Sequence, residues 1–148
     1  MRNLLIAIVI LAATAAHAQA ATPEQDIRVA LTRWTDDFNA GHADAVCGLF
    51  APALIADVRG APERDFDTQC KLLREAIADP ERSDTEAFEV KEVLVGGNIA
   101  AVRIVWTTTM RIKATGETTT SVYQGLDIFE HAGDRGWHII RYMAYERE

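Results

Sequence analysis

Ile99-Ala100-Ala101-Val102-Arg103-Ile104-Val105-Trp106 places Val102, Ile104 and Trp106 on one side of an extended chain and Ala101 and Val105 on the other. It belongs to the second of four strand-type runs, near residues 87–95, 99–112, 118–130 and 137–146. Gly96-Gly97-Asn98, Thr115-Gly116 and Gly133-Asp134-Arg135-Gly136 separate them. These gaps are hairpin-sized, so the spacing predicts an antiparallel sheet. The last run is apolar on both faces too, with Ile139 and Met143 against Ile140 and Tyr142. Both faces therefore need cover, one from helices and the other from a second subunit.

The helices lie upstream. Thr22-Pro23-Glu24-Gln25 is a helix start in which Thr22 caps, Pro23 suits the first turn and Gln25 completes a capping box. Ile27, Ala30, Leu31, Trp34 and Phe38 follow at steps of three and four, one apolar stripe that ends at Gly41. A short second helix is predicted through Ala45, Val46, Leu49 and Phe50, stopping before Pro52. Leu54 to Arg59 reads as a small strand running into the Gly60-Ala61-Pro62 turn. A third helix, capped by Asp65 or Asp67, carries Phe66, Cys70, Leu73 and Ile77 and stops at Asp79-Pro80. Fold class is thus α+β, about three helices before a long antiparallel sheet.

At the N-terminus, Arg2, an apolar run from Leu4 to Ala15 and Ala16-His17-Ala18 read as a secretory leader, residues 1–18, cut before Gln19. That run is too short to cross a ~30 Å hydrocarbon core. Residues 19–148 then form a single domain in the periplasm or outside the cell, with no membrane attachment after cleavage. Net charge is −7 for the whole chain, so a nucleic acid or an anionic membrane surface is disfavoured as a partner. Cys47 and Cys70 are a disulfide candidate for an oxidising compartment; packed as free thiols, they would serve as small apolar residues. His42, His131 and His138 lack ligand spacing, so no metal is assigned, and no cofactor motif, phosphate loop or nucleophile elbow is present in the sequence.

Four strings occur in order: Trp34-Thr35-Asp36-Asp37-Phe38-Asn39-Ala40-Gly41-His42-Ala43-Asp44, Leu49-Phe50-Ala51-Pro52, Ala56-Asp57-Val58-Arg59-Gly60 and Gly136-Trp137-His138-Ile139-Ile140-Arg141-Tyr142. Together they resemble the nuclear transport factor 2-like superfamily, in its SnoaL-like branch of ketosteroid isomerase and polyketide cyclase relatives. The resemblance implies a cone, a sheet bent around the first helix with an apolar cavity between them, and a homodimer through the sheet's outer face. It does not by itself imply an activity, because the superfamily spans enzymes and binding proteins.

The resemblance also suggests site residues. Asp57 falls at or beside the place of the isomerase's general base; as a plain strand-end aspartate it would pair with Arg59 or cap the turn. The oxyanion-hole tyrosine is matched by Trp34 and the oxyanion-hole aspartate by Gly125, which removes the donors that isomerisation needs. Asp127, two residues along on the same strand face as Gly125, substitutes if the register differs by one pair. Trp34, Phe38, Trp106 and Tyr142 line the cavity if the family pattern holds, with two N–H donors and one hydroxyl; otherwise they are core aromatics. The expectation is a protein that binds a small apolar molecule or serves as an accessory dimer, with a lyase or isomerase using Asp57 on a carbonyl substrate as the second reading.

Overall fold

The computed structural model describes residues 21–147, so the leader predicted over residues 1–18 lies outside the described residues. Helix α1 (Pro23–Asn39) begins as its sequence predicts. The Thr22 hydroxyl accepts from the Gln25 N–H while the Gln25 side chain accepts from the Thr22 N–H, closing a capping box ahead of Pro23. Its buried stripe is Ile27, Leu31, Trp34, Thr35 and Phe38. Gly41 follows at φ 76°, a conformation glycine adopts without steric cost.

Among the described residues two α-helices are present rather than about three. Val46–Leu49 forms only one 3₁₀ turn, because Phe50 already pairs with Ile139 in the sheet and leaves no length for an α-helix. Strand β1 (Phe50–Val58) consequently starts four residues earlier than the small strand read from Leu54. Pro52 is tolerated in it because it lies inside a register shift between Phe50 and Ile55. β2 (Arg64–Asp65) leads into α2 (Phe66–Ala78), whose N-cap is Asp65, accepting from the Thr68 N–H at 2.9 Å.

The four later strands are β3 (Arg82–Gly96), β4 (Ile99–Ile112), β5 (Thr118–His131) and β6 (Trp137–Glu146), an antiparallel meander as the hairpin gaps predict. β1 departs from the all-antiparallel expectation: it adds to β6 in parallel, giving a curved, unclosed sheet of order β2-β1-β6-β5-β4-β3. A parallel neighbour needs a crossover, and α2 with β3, β4 and β5 supplies it.

Bulges set which way the side chains point. On β6, Ile139 pairs with Phe129 and Arg141 with Ile128, so Ile140 is the extra residue. Trp137 and Ile139 face inward before this bulge, and the period-two alternation restarts after it with Tyr142 and Ala144 inward. Lys91 is the corresponding extra residue on β3, between the Val90–Ile104 and Glu92–Arg103 pairs. Such insertions also bend the strands, which gives the sheet its concave side.

α1 lies against that concave side and is pinned at two places. The Trp34 indole N–H donates to the Val46 carbonyl at 2.7 Å, and the Asn39 amide exchanges hydrogen bonds with the backbone N–H and C=O of Glu86. Ile27, Leu31, Val102 and Phe129 are fully buried between helix and sheet. Cys47 and Cys70 form a disulfide across 23 residues, their Cα atoms 5.4 Å apart, tying the 3₁₀ turn to α2. Closing a loop of that size stabilises the fold by roughly 3 kcal/mol in the chain-entropy view. No helix among the described residues is long and apolar enough to cross a membrane.

Candidate functional site

Between α1, α2 and the concave face lies a hollow of about 280 Å³. Its walls are aromatic, from Trp34, Phe50, Trp106, Tyr123 and Tyr142, and its polar groups are Arg64, Gln69, Glu86, Thr108 and Asp127. Trp34 meets Trp106 edge-on at 5.2 Å and stacks on Phe38 at 5.5 Å. Of the expected aromatic set, Trp34, Trp106 and Tyr142 line the hollow. Phe38 stands behind Trp34 as a core residue, 4% exposed. The expected pair of indole donors reduces to Trp106, since the Trp34 N–H is engaged by Val46.

Asp127 is the most deeply buried polar group lining this hollow, 3% exposed against 7% for Gln69, and is paired across the sheet with Val102 on one side and Tyr142 on the other. It shares its strand face with Gly125 and Tyr123, as period-two spacing requires. A Cβ added at Gly125 would stand 3.1 Å from Ile104 Cγ2 and 3.5 Å from Asp127 Oδ1, so glycine there keeps the carboxyl uncovered. Burial pushes the Asp127 carboxyl up to about 7, against the smaller opposing pull of a hydrogen bond from the Trp106 side chain.

Glu86 is a second acid, at another part of the hollow. It sits opposite Thr108 on β4, whereas Asp127 sits opposite Val102, so the two occupy separate ends. Burial raises Glu86 to about 7; the Thr108 hydroxyl, donating to its Oε1 at 2.9 Å, lowers it, and the nearby Asp84 charge raises it further. The sequence reading missed Glu86 because it began the strand at residue 87. Extending the alternation of Phe88 and Val90 by one step would have found it. Glu89 and Lys91 are exposed and Glu92 half-buried; Lys91 bridges to Glu89 and Arg103 to Glu92.

Tyr142 donates its hydroxyl to Gln69 Oε1 at 2.8 Å, and Arg64 donates to the same oxygen at 3.4 Å. Burial first, with Asp127 adding to it and Arg64 opposing, pushes the Tyr142 hydroxyl up to about 12.

Asp57 is outside this arrangement. It pairs with Met143 on β6 while its neighbours Ala56 and Val58 pair with Tyr142 and Ala144, the inward residues. Ala56 is fully buried and Val58 lines the hollow, so alternation turns Asp57 outward, where it is exposed. Trp34 and Asp57 thus look to opposite sides of the sheet, and a base role for Asp57 inside the hollow is geometrically closed.

A larger groove, about 540 Å³, runs on the far side of Trp34, between α1 and the start of β6. Its charged groups, Asp26, Arg33, Asp37 and Arg135, are exposed or half-exposed, and water screens them. The smaller hollow carries the desolvated chemistry. Among the described residues no three His, Cys, Asp or Glu side chains are grouped to hold a metal. His42 bonds to Asp37, and His131 packs edge-on against Trp137.

The sequence profile of the SnoaL-like domain matches residues 31–139. No curated protein sequence matches the chain. Among solved structures, a ketosteroid isomerase-like protein from Erwinia carotovora atroseptica is similar at 23% identity and a TM-score of 0.66, covering 82% of this chain and 94% of that one. A conserved protein from Planctomyces limnophilus is similar at 13% identity and a TM-score of 0.76, covering 84% and 95%. A nuclear transport factor 2-like superfamily protein from Salmonella enterica matches at 15% identity and a TM-score of 0.69, covering 85% and 92%.

Raised acids make folding pH-dependent in a definite direction. Between about pH 4 and pH 7 the folded state keeps Asp127 protonated where the unfolded chain releases the proton, so stability falls as pH rises through that window and levels off above it. Asp127→Asn removes the ionisation and is expected to gain on wild type by on the order of 3 kcal/mol between pH 4 and pH 8. Urea unfolding at the two pH values reads this, and a gap that stays constant with pH contradicts a desolvated carboxyl.

Proposed function

This chain belongs to the SnoaL-like domain family, and from that premise we propose that it is an exported protein that binds a small, mostly apolar molecule in the hollow beneath α1. The observation carrying this reading is Asp127, a carboxyl held at 3% exposure in an aromatic-walled space without an ion-pair partner among the described residues. Apolar walls with a few convergent polar groups are the usual form of a small-molecule site. The leader at residues 1–18 and the Cys47–Cys70 disulfide support a periplasmic or secreted location.

Trp34 and Trp106 make the hollow observable by fluorescence. A panel of flat steroid-like and quinone-like molecules is expected to include at least one that quenches tryptophan emission at micromolar concentration. Ala144→Phe, which intrudes from the β6 wall, is expected to weaken that ligand about tenfold or more, and Asp57→Asn to leave it unchanged. Failure of the whole panel at high micromolar levels, or equal binding by Ala144→Phe, would overturn the reading.

An isomerase or lyase is the second reading, and the position of Asp127 redirects it. With Asp57 facing outward, the acid or base of such a reaction is Asp127, whose carboxyl titrates in the range useful for proton transfer near neutrality. Turnover that survives in Asp57→Asn and disappears in Asp127→Asn distinguishes it from binding alone.

We further propose that a second copy covers the convex face. Leu126 and Met143, paired across β5 and β6, are 42% and 60% exposed there, and Tyr145 lies beside them on β6. Light scattering is expected to return twice the chain mass, with Met143→Lys reducing it to one; a wild-type monomer at micromolar concentration rejects the dimer.

A further inference from the structure

Buried acids in folded proteins are normally matched by a cation or a metal, because an unpaired charge out of water is costly. Asp127 and Glu86 have no such match: among the described residues neither takes part in an ion pair. Asp127 is the stricter case, being more than nine-tenths buried and facing open volume. The walls around that volume are the aromatic rings of Trp34, Trp106, Tyr123 and Tyr142, and the face of such a ring attracts a cation through its quadrupole.

From this geometry, and resting on the binding reading above, we propose that the ligand of the hollow is a small organic amine whose apolar body lies among the aromatic rings and whose ammonium group sits on Asp127. The charged and titratable groups facing that position are few. β5 contributes Tyr123, β6 Tyr142, β3 Glu86 at the far end and β2 Arg64. α1 contributes Trp34 and α2 Gln69 and Leu73, none of which titrates near neutrality. Among the described residues that line the hollow, Arg64 is the one opposing charge. It is directed to Gln69 and to Tyr142, and Tyr142 stands between it and Asp127 in the row Arg64, Ala56, Tyr142, Asp127 across the sheet.

The ammonium must meet an ionised carboxylate, so binding releases a proton wherever Asp127 is protonated in the free protein. Affinity for a permanently charged amine therefore rises with pH through the neutral range and levels off above it. A neutral alcohol of the same shape, hydrogen-bonded to the carboxyl in either form, lacks this dependence.

The pair 1-naphthylmethylammonium and 1-naphthylmethanol separates the cases by calorimetry on the folded wild-type protein. The ammonium is expected to bind about tenfold more tightly than the alcohol at pH 8 and to lose about thirtyfold of its affinity by pH 5.5. At pH 6.5, titrations in two buffers of different ionisation enthalpy should show proton release for the ammonium and none for the alcohol. Asp127→Asn, verified as folded by its thermal transition, should abolish the preference while keeping alcohol affinity within about threefold; if it does not fold, proton release by wild type decides alone. Equal binding of the two probes, or ammonium binding without proton release, overturns the amine proposal and leaves the binding reading intact. No binding of either probe at millimolar concentration counts against both.

Discussion

The period-two alternation of a sheet covered by helices on one side only is the constraint from which the site follows. Once α1 is pinned by Trp34 to Val46 and by Asn39 to Glu86, the strands beneath it carry a sheltered face, fully buried at Val102, Phe129 and Ile139. Which residues occupy that face is then a matter of register. On β6 the bulged Ile140 shifts the alternation by one residue and brings Tyr142 and Ala144 inward. The parallel partner β1 inherits that phase, with Ala56 and Val58 inside and Asp57 outside. Without the bulge, Arg141 and Met143 would face the hollow and Asp57 would follow them.

The same constraint explains the electrostatics. A carboxyl carried inward on a strand loses its water whether or not a partner awaits it. Asp127 meets a ring N–H from Trp106 but no cation, and Glu86 meets a hydroxyl from Thr108, so neither is compensated as a charge. Natural domains keep such uncompensated groups mainly where function needs them. Gly125 fits this picture, because a Cβ there would press on Ile104 and lie in van der Waals contact with the Asp127 carboxyl.

Much of the fold was legible in the residues. The capping box at Thr22 and Gln25, the stripe from Ile27 to Phe38 and the glycine-bounded strand runs rest on local chemistry that the chain carries in place. The parallel pairing of β1 with β6 was not legible, because it depends on contacts between residues some ninety positions apart. The helix expected through Ala45–Phe50 failed for the same reason: pairing of Phe50 with Ile139 overrode local helical spacing. The site divides likewise. Asp127 was identifiable from its shared face with Gly125 on one uninterrupted strand. Asp57 was misplaced because its direction is set by a bulge on a distant strand, and Glu86 was passed over because the strand boundary was drawn one residue late.

The site depends on an Asp127 carboxyl that is desolvated and has no cationic partner among the described residues. Carbon-13 NMR titration of the Asp127 side-chain carboxyl, assigned by its loss in Asp127→Asn, measures this directly. A midpoint near the value of about 7 that burial imposes is expected. A midpoint in the ordinary aspartate range, about 4 or lower, would mean that the carboxyl is hydrated or paired, and would contradict the claim.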